Sequence, residues 1–207
     1  MPKTARHIWE NVLEWENLIR AAKEASRGKR YRGEVMRFNA RLEENLLTIR
    51  RRLRAGEWRP APYREFEVFE PKRRLIHAPA FADRVVHHAL VQVIGPCFER
   101  RFVFQSFACR AGKGTHAASG YLTDMLRQAA AGGGPVYALK ADVEKYFYSI
   151  DHEILLRVAA RTIGDPDVLQ VLRVLVTQSG CIKGSRGLPL GALTSQLMAN
   201  VYLDQLD

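Results

Sequence analysis

The N-terminal third of the chain carries apolar side chains at helical spacing. Between residues 34 and 53 the apolar positions recur at steps of three and four, which places them on one face of a helix. They are Phe38, Leu42, Leu46, Ile49 and Leu53. An earlier helix is predicted over about residues 4–25, and the basic loop SRGKRYRG separates the two. Residues 1–60 are therefore expected to form a basic helical extension.

The two-residue period of a β-strand follows at residues 65–69, EFEVF. A basic turn and then RLIHAP complete a pattern that predicts a two-stranded antiparallel ribbon, with Lys72, Arg73 and Arg74 at its tip. The next stretch, FADRVVHHALVQVIGPCFE, has an apolar helical face and is expected to end near Gly95-Pro96. A third helix is predicted over roughly residues 114–131. Helices with one small sheet indicate an α+β fold.

The stretch VYALKADVEKYFYSIDH, residues 136–152, contains an acid in an unusual place. Its β-branched and aromatic start predicts a buried strand that ends at Asp142. Because an unpaired buried carboxylate is costly, Asp142 should face a cation or water, and a hard divalent cation such as Mg²⁺ fits. Taken alone, Asp142 could equally be a helix cap or a salt-bridged surface acid. Asp151 is predicted to be the N-cap of the following helix.

A second informative stretch is GLPLGALTSQLMANVYL, which begins at Gly187. Its glycines and proline predict a tight turn, and Thr194 or Ser195 is expected to cap the helix that follows. A glycine turn before a helix offers backbone N–H groups to phosphates or bases. Many ordinary loop-to-helix junctions have the same residues, so this pattern alone does not define a site.

Composition and charge narrow the class of protein. The chain has 207 residues, of which 47% are hydrophobic and 26% charged, as expected for one or two globular domains. The formal net charge is +10. Residues 1–138 hold the excess of Lys and Arg, whereas residues 139–207 are balanced. This asymmetry suits a protein that binds a polyanion across one region, although a solvated basic surface would also account for it.

Cysteine spacing and hydropathy exclude several classes. The three cysteines, Cys97, Cys109 and Cys181, lack the paired spacing of zinc or redox sites and are expected to be reduced thiols. The N-terminus is charged throughout and does not look like a signal peptide. No apolar run is as long as a membrane helix requires, so a cytoplasmic protein without membrane contacts is expected.

Four blocks, in order, resemble those of bacterial reverse transcriptases over about residues 61–207. They are PKRRLIHAP followed by DRVVHHAL, then SFACRAGKGTHAA, then LKADVEKYFYSIDH, and finally GLPLGALTSQLMANVYL. The resemblance implies a right-hand polymerase fold, with fingers over residues 61–135 and a partial palm over residues 136–207. It also implies an RNA template, a DNA or RNA primer and deoxynucleoside triphosphates as partners.

The last block is similar to that of one subfamily. Many reverse transcriptases have Pro-Gln-Gly and Ser-Pro where this chain has Pro189-Leu190-Gly191 and Ser195-Gln196. The aliphatic residue and the Ser-Gln pair resemble diversity-generating retroelement enzymes, whose copying is error-prone and which use an accessory protein. Enzymes of group II introns, retrons and phage defence are the alternatives.

The resemblance assigns roles to individual residues. Asp142, with the backbone carbonyl of Val143, would be catalytic and bind Mg²⁺, or alternatively Mn²⁺. Phe147 would lie under the incoming sugar and exclude a 2′-hydroxyl. The other nucleotide contacts would be Lys72, Arg74, Leu190 and Gly191, and the nucleic-acid contacts would be Arg73, Arg110, Lys113, Gly187, Pro189, Ser195 and Gln196. The competing interpretation is a packed core ring for Phe147 and solvated charges for the basic residues.

The chain departs from the family in one respect. A second carboxylate pair, in a Tyr-x-Asp-Asp hairpin, lies beyond the glycine-serine block in the family, and this sequence stops at Asp207. The thumb is also expected to be absent. Because each metal ion needs several oxygen ligands, the chain alone is expected to be inactive. A non-catalytic protein that binds RNA or DNA is the alternative.

Overall fold

The computed structural model describes residues 4–69, 72–177 and 184–206. These residues form helices and one antiparallel sheet of two strands. The helices are α1 (Trp9–Leu13), α2 (Trp15–Ala25), α3 (Gly33–Ala40), α4 (Leu42–Arg54), α5 (Phe81–Glu99), α6 (Thr115–Ala131), α7 (Tyr146–Ser149), α8 (His152–Ala160), α9 (Pro166–Thr177) and α10 (Leu193–Leu203). The strands are β1 (Arg64–Val68) and β2 (Arg74–Ala78). The helix-rich fold with a small antiparallel sheet is as predicted.

Helix α5 is the centre of the molecule and packs against α1, α2, α3, α4 and α10. The sequence predicted that this helix ends near Gly95-Pro96, but the helix continues to Glu99. Ile94 and Phe98, one turn apart, are both buried, and their burial keeps the helix continuous across a proline that removes one backbone hydrogen bond. Because α2 and α10 both pack on α5, the N-terminal helices belong to the same core as the rest of the chain.

The two predicted N-terminal helices are each broken into two. The first is interrupted at Glu14, which has extended backbone angles, and the second at Arg41 (φ −127°, ψ 44°). The predicted apolar face is nevertheless correct, because Phe38 and Leu46 are buried on either side of the second break. The break lets α3 pack on α5 while α4 also packs on α1, and the Asn45 side-chain amide donates to the Phe38 carbonyl across it (2.9 Å).

The predicted ribbon is present, with β1 and β2 in antiparallel register. Phe66 pairs with Ile76 and Glu65 pairs with His77. Since directly opposed residues share a face of the ribbon, Phe66 and Ile76 project to one side and His77 to the other. His77 is buried on one side and Ile76 lies against Gly191 on the other, so both sides of this end of the ribbon face the protein.

Two aspartates organise the C-terminal helices. Asp151 caps α8, as predicted, by accepting hydrogen bonds from the backbone N–H groups of Glu153 and Ile154 (3.0 and 3.1 Å). The bond from Ile154 is the main reason that the pKa of Asp151 is lowered. Asp165 is buried and caps α9 through one carboxylate oxygen, while the other accepts from Ile8 and Trp9. No pattern in the sequence predicts these hydrogen bonds between the N-terminal segment and Asp165.

The buried strand predicted over residues 136–142 is absent. This segment has no regular secondary structure, and Tyr137 and Leu139 are 89% and 95% exposed. An extended segment needs a neighbouring strand for its backbone hydrogen bonds, and none of the described residues pairs with it. Asp142 therefore lies on an exposed segment rather than at the end of a central strand.

The cysteines were predicted to be reduced thiols. Cys97 is half-buried and Cys109 exposed, and both are free thiols, while Cys181 lies outside the described residues, as does Asp207. No helix among the described residues combines the length and the apolar character that crossing a bilayer would require.

Candidate nucleotide and nucleic-acid binding site

The glycine turn at residues 187–191 is held by backbone hydrogen bonds on both sides. Gly187 donates to the Ile150 carbonyl (2.7 Å), and Leu188 donates to the Phe147 carbonyl (2.8 Å). At the other end, the Leu190 carbonyl accepts from the backbone N–H of His77 in β2 (2.6 Å). The turn therefore joins the α7 region to the ribbon.

The backbone and the packing at position 191 strongly favour glycine. Its φ of +113° lies in the left-handed region, and an added β-carbon would be 2.9 Å from Ile76 Cγ2 and 3.1 Å from the His77 carbonyl oxygen. The predicted nucleotide contacts Leu190 and Gly191 are thus in direct contact with the ribbon that carries Lys72 and Arg74.

A buried chain of polar side chains fixes the start of α10 beneath the turn. Thr194 Oγ1 is 2.7 Å from His87 Nδ1, and His87 Nε2 is 3.1 Å from the Tyr63 hydroxyl. Burial, reinforced by the charge of His88, lowers the pKa of His87 to about 3, so the imidazole is neutral at physiological pH. The predicted capping role of Thr194 or Ser195 is wrong, because neither side chain caps α10 and the Thr194 hydroxyl bonds to His87 instead.

The tip of the ribbon carries three cations, and one of them is already paired. Arg73 donates to Glu67 on β1 (2.5 Å), and this hydrogen bond lowers the pKa of Glu67 and raises that of Arg73. Lys72 and Arg74 are exposed. Their positive charge is accessible to an anionic ligand on the ribbon that contacts the glycine turn.

A cavity of about 430 Å³ opens between the ribbon and the turn. Phe66 and Ile76 of the ribbon line it, as does Gly191, and Arg64 adds a positive charge. The cavity combines an apolar wall, a backbone turn and a cation. This combination suits a ligand that has both a flat apolar part and an anionic part.

Phe147 is partly buried and packs against the core. Its ring stands edge-on to Tyr146 at 5.9 Å, and the Tyr146 hydroxyl donates to the Ala199 carbonyl of α10 (2.6 Å). Since the Phe147 carbonyl accepts from Leu188, this ring is anchored next to the glycine turn. The position fits both a packed core ring and a ring that lies under a bound nucleotide.

The described residues do not form a metal centre. Asp142 and Val143 are exposed, and within residues 4–69, 72–177 and 184–206 no group of three or more His, Cys, Asp or Glu side chains could hold a metal ion. Two-metal catalysis with a single carboxylate is implausible, because each ion must be held by several oxygen ligands. No catalytic step through a metal follows from these residues alone.

Arg110 and Lys113, predicted as template contacts, are engaged within the protein. The Arg110 side chain is 6% exposed, bonds to Glu99 through Nε and one terminal nitrogen (2.9 and 2.6 Å), and donates to two backbone carbonyls through the other. Lys113 Nζ lies 4.0 Å from the centre of the Phe104 ring and bonds to the Phe104 carbonyl. These contacts hold the loop that precedes α6.

The remaining predicted nucleic-acid contacts are divided between two places. Gly187 and Pro189 are buried in the glycine turn, and Ser195 is buried in α10. Gln196 instead lines a second cavity, of about 450 Å³, together with Arg110. Ligands that contact Gly191 and Gln196 would therefore occupy different cavities.

Two histidines of the site were not recognised from the sequence. His77 is buried beside the turn, with Nε2 3.5 Å from a Glu65 carboxylate oxygen, and His87 carries the bond to Thr194. The position of His87 on the apolar face of DRVVHHAL was the available signal. A histidine on such a face needs a buried hydrogen-bond partner.

Solved structures define the class of fold. The partial Cas6-RT-Cas1–Cas2 complex contains a chain that superposes with a TM-score of 0.60 at 18% identity, covering 98% of this chain and 35% of that one. The Cas6-RT-Cas1–Cas2 complex gives the same score and identity, with 22% of its chain covered. At this identity the likeness concerns the fold alone.

The family is defined by sequence. The model of the family "Reverse transcriptase (RNA-dependent DNA polymerase)" matches residues 69–207, and the chain belongs to this family. Protein YkfC of Escherichia coli (strain K12) is 27% identical over 179 residues, which are 82% of this chain and 46% of YkfC. The group II intron-encoded protein LtrA of Lactococcus lactis subsp. cremoris is 26% identical over 174 residues, 80% of this chain and 28% of LtrA. The chain thus spans less than half the length of these relatives.

Proposed function

We propose that this chain forms the fingers and part of the palm of an RNA-directed DNA polymerase that copies RNA into cDNA. The observation that carries the proposal is the contact between the glycine turn and the ribbon, through Gly191, Ile76 and the hydrogen bond from His77 to Leu190. This contact holds Leu190 and Gly191 against the ribbon whose tip carries Lys72 and Arg74, the residues for which we propose nucleotide binding, in a chain that belongs to the reverse transcriptase family.

In this proposal, different residues bind different parts of the substrates. Lys72 and Arg74 neutralise phosphate oxygens at the ribbon tip, where Arg offers paired N–H donors. The turn at Leu190 and Gly191 supports the nascent base pair with its backbone. Phe147, anchored beside the turn, lies under the sugar and excludes a 2′-hydroxyl. Each role uses a position that is exposed or that borders the turn.

Asp142 is the proposed catalytic carboxylate, acting with the Val143 carbonyl. In polymerases of this kind Mg²⁺ stabilises the charge that develops during phosphoryl transfer, and Mn²⁺ can take its place. Asp142 supplies one of the oxygen ligands that such an ion requires. Further carboxylates are needed to complete the centre, so the proposal concerns the polymerase that includes them.

The proposed subfamily is that of diversity-generating retroelements. The support is Leu190 in the turn and the Ser195-Gln196 pair, and the proposal includes an accessory protein as partner, beside RNA template, primer and deoxynucleoside triphosphates. A polymerase of the group II intron type is the second candidate, because LtrA is among the relatives. A non-catalytic RNA- or DNA-binding protein is the third, because the described residues hold no metal centre.

Primer extension tests the proposal. A polypeptide that joins residues 1–207 to a palm with a Tyr-x-Asp-Asp hairpin should extend a DNA primer on an RNA template with Mg²⁺. Asp142→Asn should abolish measurable extension, since removal of a charged ligand disables a metal centre. Extension that is unaffected by this substitution would refute the role of Asp142. Failure of the parent polypeptide to extend, despite binding the primer–template, would favour the non-catalytic alternative.

A further inference from the structure

The cavity between ribbon and turn has a third wall, which comes from the N-terminal extension. Lys29 and Arg32 lie in the loop between α2 and α3, and Glu34 lies in the first turn of α3. Arg84 of α5 completes this wall. Residues that precede the matched family segment therefore border the same space as Gly191.

The charge of this wall is not balanced. Lys29, Arg32, Arg64 and Arg84 line the cavity, whereas Glu34 is the single acid among the described residues that line it. Glu34 is already paired with Arg84. Burial is the main reason that the pKa of Lys29 is lowered, and the charges of Arg84 and Arg32 lower it further, as expected where cations repel one another.

Arg84 borders the cavity with a guanidinium that is already engaged by Glu34. Its side chain is mostly buried, and its Nε is buried without a hydrogen-bond partner in the part of the chain that the structure describes. Buried guanidinium N–H groups normally have partners. Because this Nε has almost no accessible surface, an anion in the cavity would instead meet Lys29 and Arg32, which line it and are more accessible.

We propose that Lys29 and Arg32 bind phosphate groups of a nucleic acid or nucleotide in this cavity, so that the N-terminal extension forms part of the binding site. Phosphates match the excess cations, and Phe66 and Ile76 offer an apolar surface for a base. The inference rests on the proposed function. The phosphates belong either to the diester backbone of an RNA strand or to the triphosphate of an incoming nucleotide.

A matched pair of variants tests the inference in the 207-residue chain. Lys29→Gln/Arg32→Gln removes two charges from the cavity, and Arg27→Gln/Arg30→Gln removes two from the same loop at exposed positions that do not line it. Binding of a fluorescein-labelled single-stranded RNA of 16 nucleotides is measured by anisotropy across a series of salt concentrations. Circular dichroism of each variant checks that it is folded.

The cavity variant should bind this RNA about tenfold more weakly, and the slope of log K against log salt should fall by roughly 1.4, because each phosphate contact to a single strand contributes about 0.7. The control variant should stay within about twofold of the parent. Equal losses in both variants would overturn the inference, because they would indicate a general effect of charge.

A competition with dTTP and Mg²⁺ identifies the source of the phosphates. If dTTP displaces RNA from the parent and not from the cavity variant, the triphosphate of the nucleotide occupies the cavity. If dTTP displaces RNA from neither protein, the diester backbone of the RNA occupies the cavity. Both results support the inference.

A cavity variant that binds RNA and dTTP as the parent does, while Lys72→Gln/Arg74→Gln weakens binding, would overturn this inference and leave the proposed function intact. A parent chain that binds neither probe would overturn both.

Discussion

Gly191 lies so close to Ile76 that a β-carbon on the glycine would be 2.9 Å from Ile76 Cγ2. This contact places the turn against the ribbon, and it explains why a residue without a side chain is needed there. It also joins two segments that are more than a hundred residues apart in the sequence. The proposed binding site depends on this contact.

Gly191→Ala should therefore destabilise the protein more than an alanine at another glycine of positive φ. Gly184 is a suitable control, because its φ is +96° and an added β-carbon would meet no atom of the described residues within 4 Å. Backbone strain costs roughly 1–3 kcal/mol at either position, and the overlap with Ile76 and His77 adds to it only at Gly191. Urea denaturation gives the two free energies of unfolding. Equal losses would mean that the turn and the ribbon can move apart freely.

His87 should make the stability depend on pH. The folded state keeps His87 neutral down to about pH 3, whereas the unfolded state protonates it near pH 6.5. The contribution of neutral His87 to the free energy of unfolding is therefore fully present above pH 6.5. It is lost as the pH falls from there towards 3, by about 1.4 kcal/mol per pH unit. Urea titrations give the free energy of unfolding at pH 7 and at pH 5. The difference between these two free energies should be smaller for His87→Gln than for the parent.

The matched control for this substitution is His116→Gln, at an exposed position. It should preserve the pH dependence of the parent. If His87→Gln preserved that dependence as well, the buried histidine would not be its source.

The ribbon and the amphipathic N-terminal faces were predictable because they depend on local periodicity. The breaks at Glu14 and Arg41 were not, since they depend on which neighbour each half-helix packs against. The continuation of α5 through Pro96 also depends on the neighbours against which the helix packs. A strand over residues 136–142 could not be judged from its own composition, because a strand exists only beside a partner.

The sequence indicated the glycine turn and the basic ribbon tip as candidates, but it did not indicate the contacts that join them to the rest of the fold. The glycine turn and the basic ribbon tip stand out in the sequence. The hydrogen bond from His77 to Leu190 and the bond from Thr194 to His87 join distant segments, so no local pattern indicates them. Arg110 was assigned from a motif, and its position against Glu99 required the fold.

Arg110→Gln should lower stability without changing the salt dependence of RNA binding. The substitution removes hydrogen bonds to Glu99 and to the Val103 and Ser106 carbonyls, which should cost about 1–3 kcal/mol, because Glu99 is 46% exposed and water can replace the lost partner. The guanidinium has little free surface for a phosphate. Urea denaturation measures the first effect and anisotropy the second; a salt slope that falls by about 0.7 would instead make Arg110 an RNA contact.

Leu190→Gln should lower the error rate of a complete polymerase that contains this chain. Leucine offers shape and no hydrogen bond to the nascent base pair, and apolar fit discriminates less well than hydrogen-bonded recognition. The measurement is sequencing of cDNA made by both versions from one defined RNA. Equal error spectra would remove Leu190 as the cause, and a parent of high fidelity would argue against the diversity-generating subfamily.

The central claim is that the ribbon tip and the glycine turn form one binding site for an RNA/DNA duplex, and salt-dependent binding tests it most directly. Affinity of the 207-residue chain for a labelled hybrid is measured over a range of NaCl concentrations for the parent, for Lys72→Gln/Arg74→Gln and for the control Arg27→Gln/Arg30→Gln. The tip variant should bind more weakly with a slope reduced by roughly 1.8, since two phosphate contacts to a duplex are lost, and the control should match the parent. An unchanged slope in the tip variant would contradict the account.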